Sequence, residues 1–366
     1  MEQAKSLGFD LCGVVRADRF PELENTADWL AHGYAGEMAY LHDPRRTDPR
    51  EAMRGVRSVI VCSLNYNTEH PFSTDGMTHI NGDEPRGWIS RYAWGDDYHE
   101  VLGEMLKTLV ARLRERFPQP FEARAYVDTG PVQERVLAKY AGLGWLGKNT
   151  LLLNQMLGSY FFLGAILTTL DLEATLGEGQ LPPPDLCGSC QRCLDACPTQ
   201  AFVEPYVMDA RKCISYLTIE LRGSIGEEFR EALGRHVFGC DICQDVCPWN
   251  RRSPISAVAQ FQPRVVPACH PNAGETSSQD DSLFLPRLEW LLRLSEADFR
   301  ALFRGSAVKR AKWQGLLRNA CIAAGNSGIK PAAPAHACIC DALKKLAASG
   351  NSVVAESAQW ALSRIQ

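Results

Sequence analysis

A run of four cysteines followed by a proline constrains this chain more than any other feature. Its members are Cys187, Cys190, Cys193, Cys197 and Pro198. This spacing, C-x2-C-x2-C-x3-C-P, is typical of chains that hold cubane iron–sulfur clusters, in which the fourth thiolate reaches a different cluster from the first three. The second half of the pattern recurs farther on, and one more cysteine stands between the runs. These residues are Cys240, Cys243, Cys247, Pro248 and Cys213.

If each fourth cysteine crosses to the other cluster, the eight thiolates divide into two complete ligand sets. One set is Cys187, Cys190, Cys193 and Cys247, and the other is Cys197, Cys213, Cys240 and Cys243. Zinc is the alternative, because C-x2-C pairs also build zinc sites. Zinc requires neither the crossed ligand nor the prolines, so the pattern favours two [4Fe-4S] clusters that pass single electrons.

Length and composition bound the rest of the protein. The chain has 366 residues, 45% of them hydrophobic and 22% charged, which suits a globular protein of two or three domains. Its net charge of −4 gives no global basic field, so a nucleic-acid partner would have to bind local patches. The most apolar stretch, residues 160–170, is too short to span a bilayer, and the N-terminus lacks a signal-peptide pattern.

The cysteine count also bears on location. Fourteen cysteines in a chain of this length, with cluster spacing, indicate a reducing cytoplasm rather than a disulfide-rich secreted protein. Six of them show no ligand spacing, and we expect them to be buried thiols. These are Cys12, Cys62, Cys269, Cys321, Cys338 and Cys340.

The hydrophobic pattern predicts an α+β chain in three parts: a mixed α/β domain (1–175), a bacterial ferredoxin-like domain (176–260) and an α-helical domain (283–366). Predicted strands lie at 58–65, 123–127, 151–153 and 159–169, and predicted helices at 101–116, 131–140 and 227–235. Residues 262–282 are polar and predict an exposed loop. Short helices from residue 288, including 335–347 and 352–364, predict HEAT-like pairs, with a plain helical cap as the alternative.

Two motifs have more than one interpretation. Residues 142–149 (GLGWLGKN) resemble phosphate-binding loops, but a helix precedes them and a strand follows, so glycines that end a helix are the better interpretation. Asp128 follows a predicted strand. It is either a turn or N-cap residue, or a general acid whose pKa is raised beside an apolar cofactor.

Basic residues form two clusters that are either solvated faces or sites for an anionic partner. One lies in the C-terminal part and comprises Lys309, Arg310, Lys312 and Arg318. The other lies near the first strand and comprises Arg45, Arg46, Arg50, Arg54 and Arg57.

Four further motifs precede the cysteine segment. They are residues 45–49 (RRTDP), 90–99 (SRYAWGDDYH), 127–130 (VDTG) and 144–149 (GWLGKN). In this order, with the two-cluster segment and a helical tail behind them, they resemble the epoxyqueuosine reductases over nearly the whole chain. The N-terminus is a few residues shorter than the family pattern, and residues 262–282 form a variable loop.

The resemblance implies a cobalamin-dependent enzyme. Base-off cobalamin would bind in the N-terminal domain, with its upper face toward Asp128 and the substrate, and the two clusters would feed it electrons singly. The reaction would convert epoxyqueuosine at the wobble position of tRNA to queuosine, consuming two electrons and two protons and releasing the epoxide oxygen as water. Asp128 would donate the proton.

By the same resemblance, a set of residues would line the corrin: Arg46, Ser90, Asp128, Leu152, Ser215, Cys240 and Asp241. Without the resemblance, several of these are equally well explained as surface, turn or core residues. The nucleic-acid contacts would be Arg222, Lys309, Arg310 and Lys312. An external one-electron donor such as flavodoxin or ferredoxin would supply electrons to a monomer that does not bind membranes.

Three rival interpretations stay open at the level of sequence. A reductive dehalogenase-like enzyme shares the corrin and the paired clusters but acts on small organohalides. A ferredoxin-type electron-transfer module would bind a partner and catalyse nothing, which would leave the N-terminal domain without a role. A flavin is a further possibility, because neither composition nor spacing identifies a corrin.

Overall fold

The computed structural model describes residues 1–76, 84–266 and 281–365. The strands of these residues are β1 (Leu11–Arg16), β2 (Ser58–Asn65), β3 (Trp88–Ile89), β4 (Ala123–Tyr126), β5 (Trp145–Leu146), β6 (Leu152–Leu153), β7 (Phe161–Thr168), β8 (Phe202–Glu204), β9 (Val207–Met208) and β10 (His236–Phe238). The helices are α1 (Glu2–Ser6), α2 (Pro21–Ala31), α3 (Pro49–Ala52), α4 (Ser73–Gly76), α5 (Tyr98–Arg116), α6 (Glu134–Tyr140), α7 (Arg192–Asp195), α8 (Ile214–Ile219), α9 (Glu227–Arg230), α10 (Ile242–Asp245), α11 (Leu288–Arg293), α12 (Glu296–Leu302), α13 (Lys312–Gly325), α14 (Pro334–Ala347) and α15 (Ser352–Ile365). Among the described helices, none is both long and apolar enough to cross a membrane.

The N-terminal part is built on a four-stranded antiparallel sheet in the order β1–β2–β7–β4. The two central strands, β2 and β7, are buried almost throughout, which explains their continuous apolar sequence. Successive side chains of β2 point to opposite faces: Val59 and Val61 join the core under α6, whereas Ile60 and Cys62 join the core under α5. The sheet is therefore the middle layer between α5 and α6.

The predicted elements occur with shifted ends. The strand predicted at 58–65 has the predicted bounds, whereas α5 begins at Tyr98 because Asp97 caps it and accepts a hydrogen bond from the backbone N–H of His99. Helix α6 begins at Glu134 rather than 131, because residues 128–133 form turns. The segment predicted as helix to residue 235 ends as α9 at Arg230, and turns follow it.

The cysteine segment is attached to the N-terminal part by a parallel strand pair. β10 lies beside β3, and the backbone N–H of Ser90, just after β3, donates to the carbonyl of Phe238. Each cysteine run wraps one short helix, α7 or α10, and these two helices contact each other. The two halves of the sequence pattern are therefore neighbours in space.

The C-terminal part is helical and shares its core with the rest of the molecule. Leu288 and Leu316 belong to the same buried cluster as Trp88, Val237 and Phe238 of the β3–β10 pair. The HEAT-like classification of these helices stays a prediction, as do the three domain boundaries. What the structure adds is that the helical part is packed onto β3 and β10 without an intervening gap.

A buried arginine also holds the tail to the cysteine segment. Arg318 of α13 has no exposed surface, and its guanidinium donates to the carbonyls of Leu217, Leu221 and Gly223 at 2.6–2.8 Å. Arg318 was predicted to belong to a basic surface cluster, and this is wrong, because its charge is enclosed between α8 and α13.

The cysteines outside the cluster pattern were expected to be buried, and this holds for some of them. Cys62, Cys321 and Cys340 are buried, and Cys12 and Cys338 are half-buried. Cys269 and most of the predicted loop 262–282 lie outside the described residues.

Candidate iron–sulfur and active site

The eight patterned cysteines form two groups of interacting thiols. Cys193 interacts electrostatically with Cys247, Cys187 and Cys190. The second group links Cys243 to Cys213 and Cys197, and Cys240 to both Cys243 and Cys213. This grouping is compatible with the crossed assignment, which stays a prediction. Cys243 also interacts with Cys193, so the two groups are adjacent.

The sulfur atoms are surrounded by backbone donors in a desolvated environment. The backbone N–H groups of Ser215 and Tyr216 point at Cys213, and those of Trp249 and Asn250 point at Cys247. Desolvation and the neighbouring thiols raise the pKa of Cys193 to about 11. Protein atoms alone would therefore keep this thiol neutral, whereas iron cations would hold it as a thiolate.

The first group lies beside a cavity of about 230 Å³ near the protein surface. Its lining includes Cys187, Cys190, Cys193 and Cys247 together with Lys148, Asn149 and Trp249. The neighbouring backbone at Gly188 and Arg192 is exposed. Desolvation raises the pKa of the Cys187 thiol, and the indole N–H of Trp145 partly opposes this rise. The same buried indole nitrogen makes no hydrogen bond to an oxygen or nitrogen atom of the described residues. These features fit an iron–sulfur cluster.

The glycine-rich motif at 142–149 supports this cavity. Gly142 ends α6 in a left-handed conformation (φ 79°), as expected for a helix C-terminus. The ammonium group of Lys148 donates to the carbonyls of Gly188 and Cys190 at 2.7 and 3.0 Å, and the Asn149 amide donates to the carbonyl of Cys243 at 3.3 Å. The motif therefore fixes both cysteine loops, a role that its sequence did not reveal.

Asp128 lies in the turn between β4 and α6. Its backbone adopts a left-handed conformation (φ 57°), which is unusual for a residue with a side chain. The hydroxyl of Tyr98 donates to its carboxylate at 3.0 Å, and the Nε2 atom of His99 lies 3.7 Å away. Its carboxylate therefore contacts the start of α5. Asp128 is not the N-cap of α6, because that position is occupied by Gln133.

The pKa of Asp128 differs from the prediction. Desolvation raises it, but the adjacent His99 and the hydroxyl of Tyr98 outweigh this effect, and the pKa of Asp128 is lowered. Desolvation lowers the pKa of His99, but Asp128 and Asp97 raise it to about 9. The predicted rise depends on an apolar cofactor beside Asp128, so it stays a prediction. At neutral pH the pair is a carboxylate and an imidazolium, and the proton resides on His99.

His99 is held from behind by a buried carboxylate. The Oδ1 atom of Asp97 accepts from Nδ1 of His99 at 2.7 Å, and its Oδ2 atom accepts from the ammonium group of Lys309 at 2.6 Å. The Asp97 side chain is only 2% exposed. Because Nδ1 is committed to Asp97, the other imidazole nitrogen faces Asp128, so the arrangement orients one proton toward that carboxylate.

Two properties of Asp128 indicate an open cleft beside it. Its side chain is 68% exposed, yet desolvation is the largest single influence on its pKa. Arg135 is likewise exposed, yet desolvation lowers the pKa of its guanidinium. A side chain can be both exposed to solvent and desolvated when it borders an open space that protein surrounds on several sides. Tyr40, 45% exposed, shares this space, because Asp128, Arg46 and Arg310 all act on the pKa of its hydroxyl, which desolvation raises.

The residues expected to line a corrin occupy varied positions. Ser90 and Asp241 are buried and bond to each other, and Asp241 also accepts from the indole of Trp88 at 3.1 Å, so their side chains are committed to the protein. Leu152 is 3% exposed and belongs to the core under α6. Arg46, Ser215 and Cys240 are half-buried. The group therefore offers backbone and a few half-buried side chains rather than a ring of free polar groups.

The expected nucleic-acid contacts divide into two sets. Arg222, Arg310 and Lys312 lie together, because the Arg222 guanidinium donates to the carbonyl of Ala311 at 3.3 Å. All three are exposed, although Arg310 also pairs with Glu220 at 2.8 Å. Lys309 turns away from this patch toward Asp97.

The second basic cluster is largely neutralised by acids close to it. Arg45 pairs with Asp43 at 2.6 Å and Arg50 with Asp48 at 2.8 Å. Arg57 pairs with Asp171. This cluster therefore offers less free positive charge than its sequence suggested.

Several site residues were not singled out from the sequence. Asp97, Tyr98 and His99 were part of a quoted motif, but nothing in their spacing linked them to Asp128. Glu134 has a buried Oε1 atom without a hydrogen-bond partner, and desolvation together with the nearby Asp128 raises its pKa to about 7. Only the turn that brings 128–134 beside α5 makes these residues neighbours.

Family models agree with this arrangement. The model described as "4Fe-4S double cluster binding domain" matches residues 186–250, which contain all eight patterned cysteines. A second, described as "Epoxyqueuosine reductase QueG, DUF1730", matches residues 46–129. The cysteine groups and these matches define the class: an iron–sulfur protein with a double-cluster domain.

Relatives then define the family. An epoxyqueuosine reductase from Gloeobacter violaceus is 46% identical over 336 residues, which cover 89% of this chain and 95% of the relative. One from Pseudomonas aeruginosa is 38% identical and covers 98% of this chain and 92% of its own length. A crystal structure of an epoxyqueuosine reductase with a modified tRNA-Tyr stem loop matches 99% of this chain and 88% of its own, with a TM-score of 0.83 and 29% identity. This chain belongs to the epoxyqueuosine reductase family and is an oxidoreductase.

Proposed function

We propose that this protein reduces epoxyqueuosine to queuosine in tRNA, with electrons passing through two [4Fe-4S] clusters to cobalamin. The observation that carries the proposal is the Asp128–His99 pair, an exposed carboxylate with an imidazolium 3.7 Å away, in a chain that also holds two groups of four thiols. The relative solved with an epoxyqueuosine-modified stem loop supports the substrate. Epoxide reduction needs a nucleophile or reductant at carbon and an acid at oxygen.

In this proposal the cleft would hold the planar cofactor near the second thiol group. Desolvation and the charges of Asp128 and Asp241 raise the pKa of the Tyr92 hydroxyl, so both carboxylates lie near this ring. Arg46, Ser215 and the Cys240–Asp241 backbone would contact a corrin, while Ser90 and Leu152 would shape the wall behind them. Bound cobalamin would supply the strong nucleophile for the epoxide carbon, and bound clusters would supply electrons one at a time.

Asp128 would deliver the proton and His99 would store it. Entry of substrate and cofactor would remove water from the cleft, which adds to the desolvation that already raises the pKa of Asp128. In a less polar environment an adjacent imidazolium and carboxylate favour the neutral pair, so the proton would move from Nε2 of His99 to Asp128. The opening epoxide oxygen would then take it from Asp128.

The RNA would be bound by the exposed patch of Arg222, Arg310 and Lys312. A nucleoside must leave its stack to reach Asp128, and phosphate contacts would hold the flanking backbone. The helical tail, HEAT-like in this proposal, would carry part of the same surface. Binding of tRNA should therefore weaken steeply as salt is raised.

Electrons would enter at the first thiol group. Its loop is exposed at Gly188 and Arg192, whereas Cys240 and Cys243 of the second group are desolvated. The donor would be a one-electron carrier such as flavodoxin or ferredoxin. We propose that the protein acts as a cytoplasmic monomer.

Reconstitution tests the proposal directly. Anaerobic protein loaded with iron, sulfide and cobalamin should show corrin bands and about eight irons per chain. With a chemical reductant and tRNA bearing epoxyqueuosine, it should form queuosine, detected by mass spectrometry of the digested RNA. Fully loaded protein that forms none would overturn the proposal and would favour a dehalogenase-like or purely electron-transferring role.

Asp128→Asn is the variant that tests the acid. It should keep both clusters and cobalamin and lose turnover. Asp341→Asn, an exposed aspartate of α14 with a 68% exposed side chain, is the matched control and should retain full activity. Full activity in Asp128→Asn would remove this residue from the mechanism.

A further inference from the structure

The beginning of α5 is held by the segment that leads into the helical tail. The carbonyl of Gly305 accepts from the backbone N–H of Asp97 at 2.8 Å. Arg264 donates to the Asp96 carboxylate at 2.7 Å and to the carbonyl of Arg304 at 2.9 Å. Lys309 adds the side-chain contact to Asp97. The residues that carry the proton are thus positioned by a distant part of the chain.

Asp97 depends on this segment for its charge balance. Its carboxylate is buried, and desolvation raises its pKa, but hydrogen bonds from His99 and Lys309 lower it overall. The further charged groups around His99 come from each neighbouring element: Glu100 on α5, Asp128 before α6 with Arg135 behind it, and Arg310 on the tail segment. A buried anion that loses one of two cationic partners is destabilised and changes position.

We propose that Lys309 is a positioning residue for His99 and not an RNA contact. The inference rests on the proposed function, because it assigns Lys309 to the proton-delivery group of that reaction. Its ammonium group is already bound to a buried carboxylate at 2.6 Å and lies 3.9 Å from Glu100. Drawing it to a phosphate would leave Asp97 with a single partner. Lys312, three residues on, is exposed and has no carboxylate within salt-bridge distance among the described residues.

The comparison of Lys309→Met with Lys312→Met separates the two roles. Lys309→Met should lower kcat by about 3- to 30-fold, because the proton donor is held less accurately. Its KM for tRNA and the salt dependence of binding should stay within about two-fold of the parent. Lys312→Met should do the opposite: kcat is kept, tRNA affinity falls, and the slope of log affinity against log salt decreases by about one.

The pH profile gives a second readout. Removing a cation near His99 raises the pKa of the imidazole, so the alkaline fall in kcat should move to higher pH in Lys309→Met and stay in place in Lys312→Met. Iron content and cobalamin binding verify that each variant is folded. If Lys309→Met proves unstable, Lys309→Gln, which keeps a donor for Asp97, takes its place.

One result would overturn the inference. If Lys309→Met weakens tRNA binding and reduces its salt dependence as Lys312→Met does, with kcat and its pH profile unchanged, then Lys309 is an RNA contact. Binding of an unmodified stem loop can be measured without turnover. A failure of the proposed reaction in the parent protein is therefore distinguishable from a failure of this inference.

Discussion

Replacing Arg318 with methionine tests how the helical tail is held. The guanidinium donates to three carbonyls: the hydrogen bond to Leu217 is buried, and those to Leu221 and Gly223 are half-buried. Methionine has a similar length and no donor, so all three carbonyls lose this partner. A buried acceptor left unsatisfied costs about 1–3 kcal/mol and the loss of each half-buried hydrogen bond about 0.5–1.5 kcal/mol, which gives about 2–6 kcal/mol in all.

A compensating effect lowers this cost. Burial lowers the pKa of Arg318 to about 10, well below the ordinary value of an arginine, so the charged guanidinium is less stable here than in water. That difference corresponds to about 3 kcal/mol, which methionine recovers because it carries no charge. Subtracting it from about 4 kcal/mol, the middle of the range, leaves a net destabilisation of about 1 kcal/mol.

Urea unfolding, followed by tryptophan fluorescence, measures the free energy; three of the eight tryptophans, Trp290, Trp313 and Trp360, lie in the tail. The control is Arg300→Met on α12, whose side chain is 75% exposed and, among the described residues, forms an ion pair only with Glu296 one turn away. Such an exposed pair contributes less than about 0.5 kcal/mol. If Arg318→Met costs no more than Arg300→Met, the three carbonyl contacts do not hold the tail and the reasoning is refuted.

Two further predictions concern the site. Turnover should fall as pH rises through about 9, because His99 loses its proton there. Asp97→Asn should move this fall to lower pH, since the carboxylate that helps to raise the His99 pKa is gone. Measuring kcat against pH checks both, and an unchanged profile in Asp97→Asn contradicts the role of His99. Lys148→Met should lower the iron content from about eight to about four per chain, because the loop of the first thiol group loses its two hydrogen bonds. Lys344→Met, with a 63% exposed side chain, is the control, and equal iron in both variants would contradict this support role.

Most of the correct predictions came from the spacing of residues that are close together in the sequence. The cysteine segment was recognisable because ligands of a cluster must be close in the chain, and β2 was recognisable from its continuous apolar run. Acids two residues before Arg45 and Arg50 were also visible in the sequence, yet their neutralising effect was missed because charge was counted by residue type. The error was one of interpretation, and the signal itself was local.

Contacts between distant segments account for the rest. No periodicity links Asp97 to Lys309, and the pKa of Asp128 changes direction only because α5 brings His99 beside the turn after β4. Arg318 lies among other basic residues in sequence but is enclosed by α8 in space. Such features depend on packing, so a single sequence gives no direct measure of them.

The common core of the β3–β10 pair and the C-terminal helices limits how this protein can be re-engineered. A chain shortened at residue 283 would leave Trp88, Val237 and Phe238 facing water, and a tail transplanted from a relative would have to match their shapes. Chimeras that exchange the helical part should therefore exchange both strands together with the helices. The helical part and the β3–β10 pair would then have to evolve as one unit.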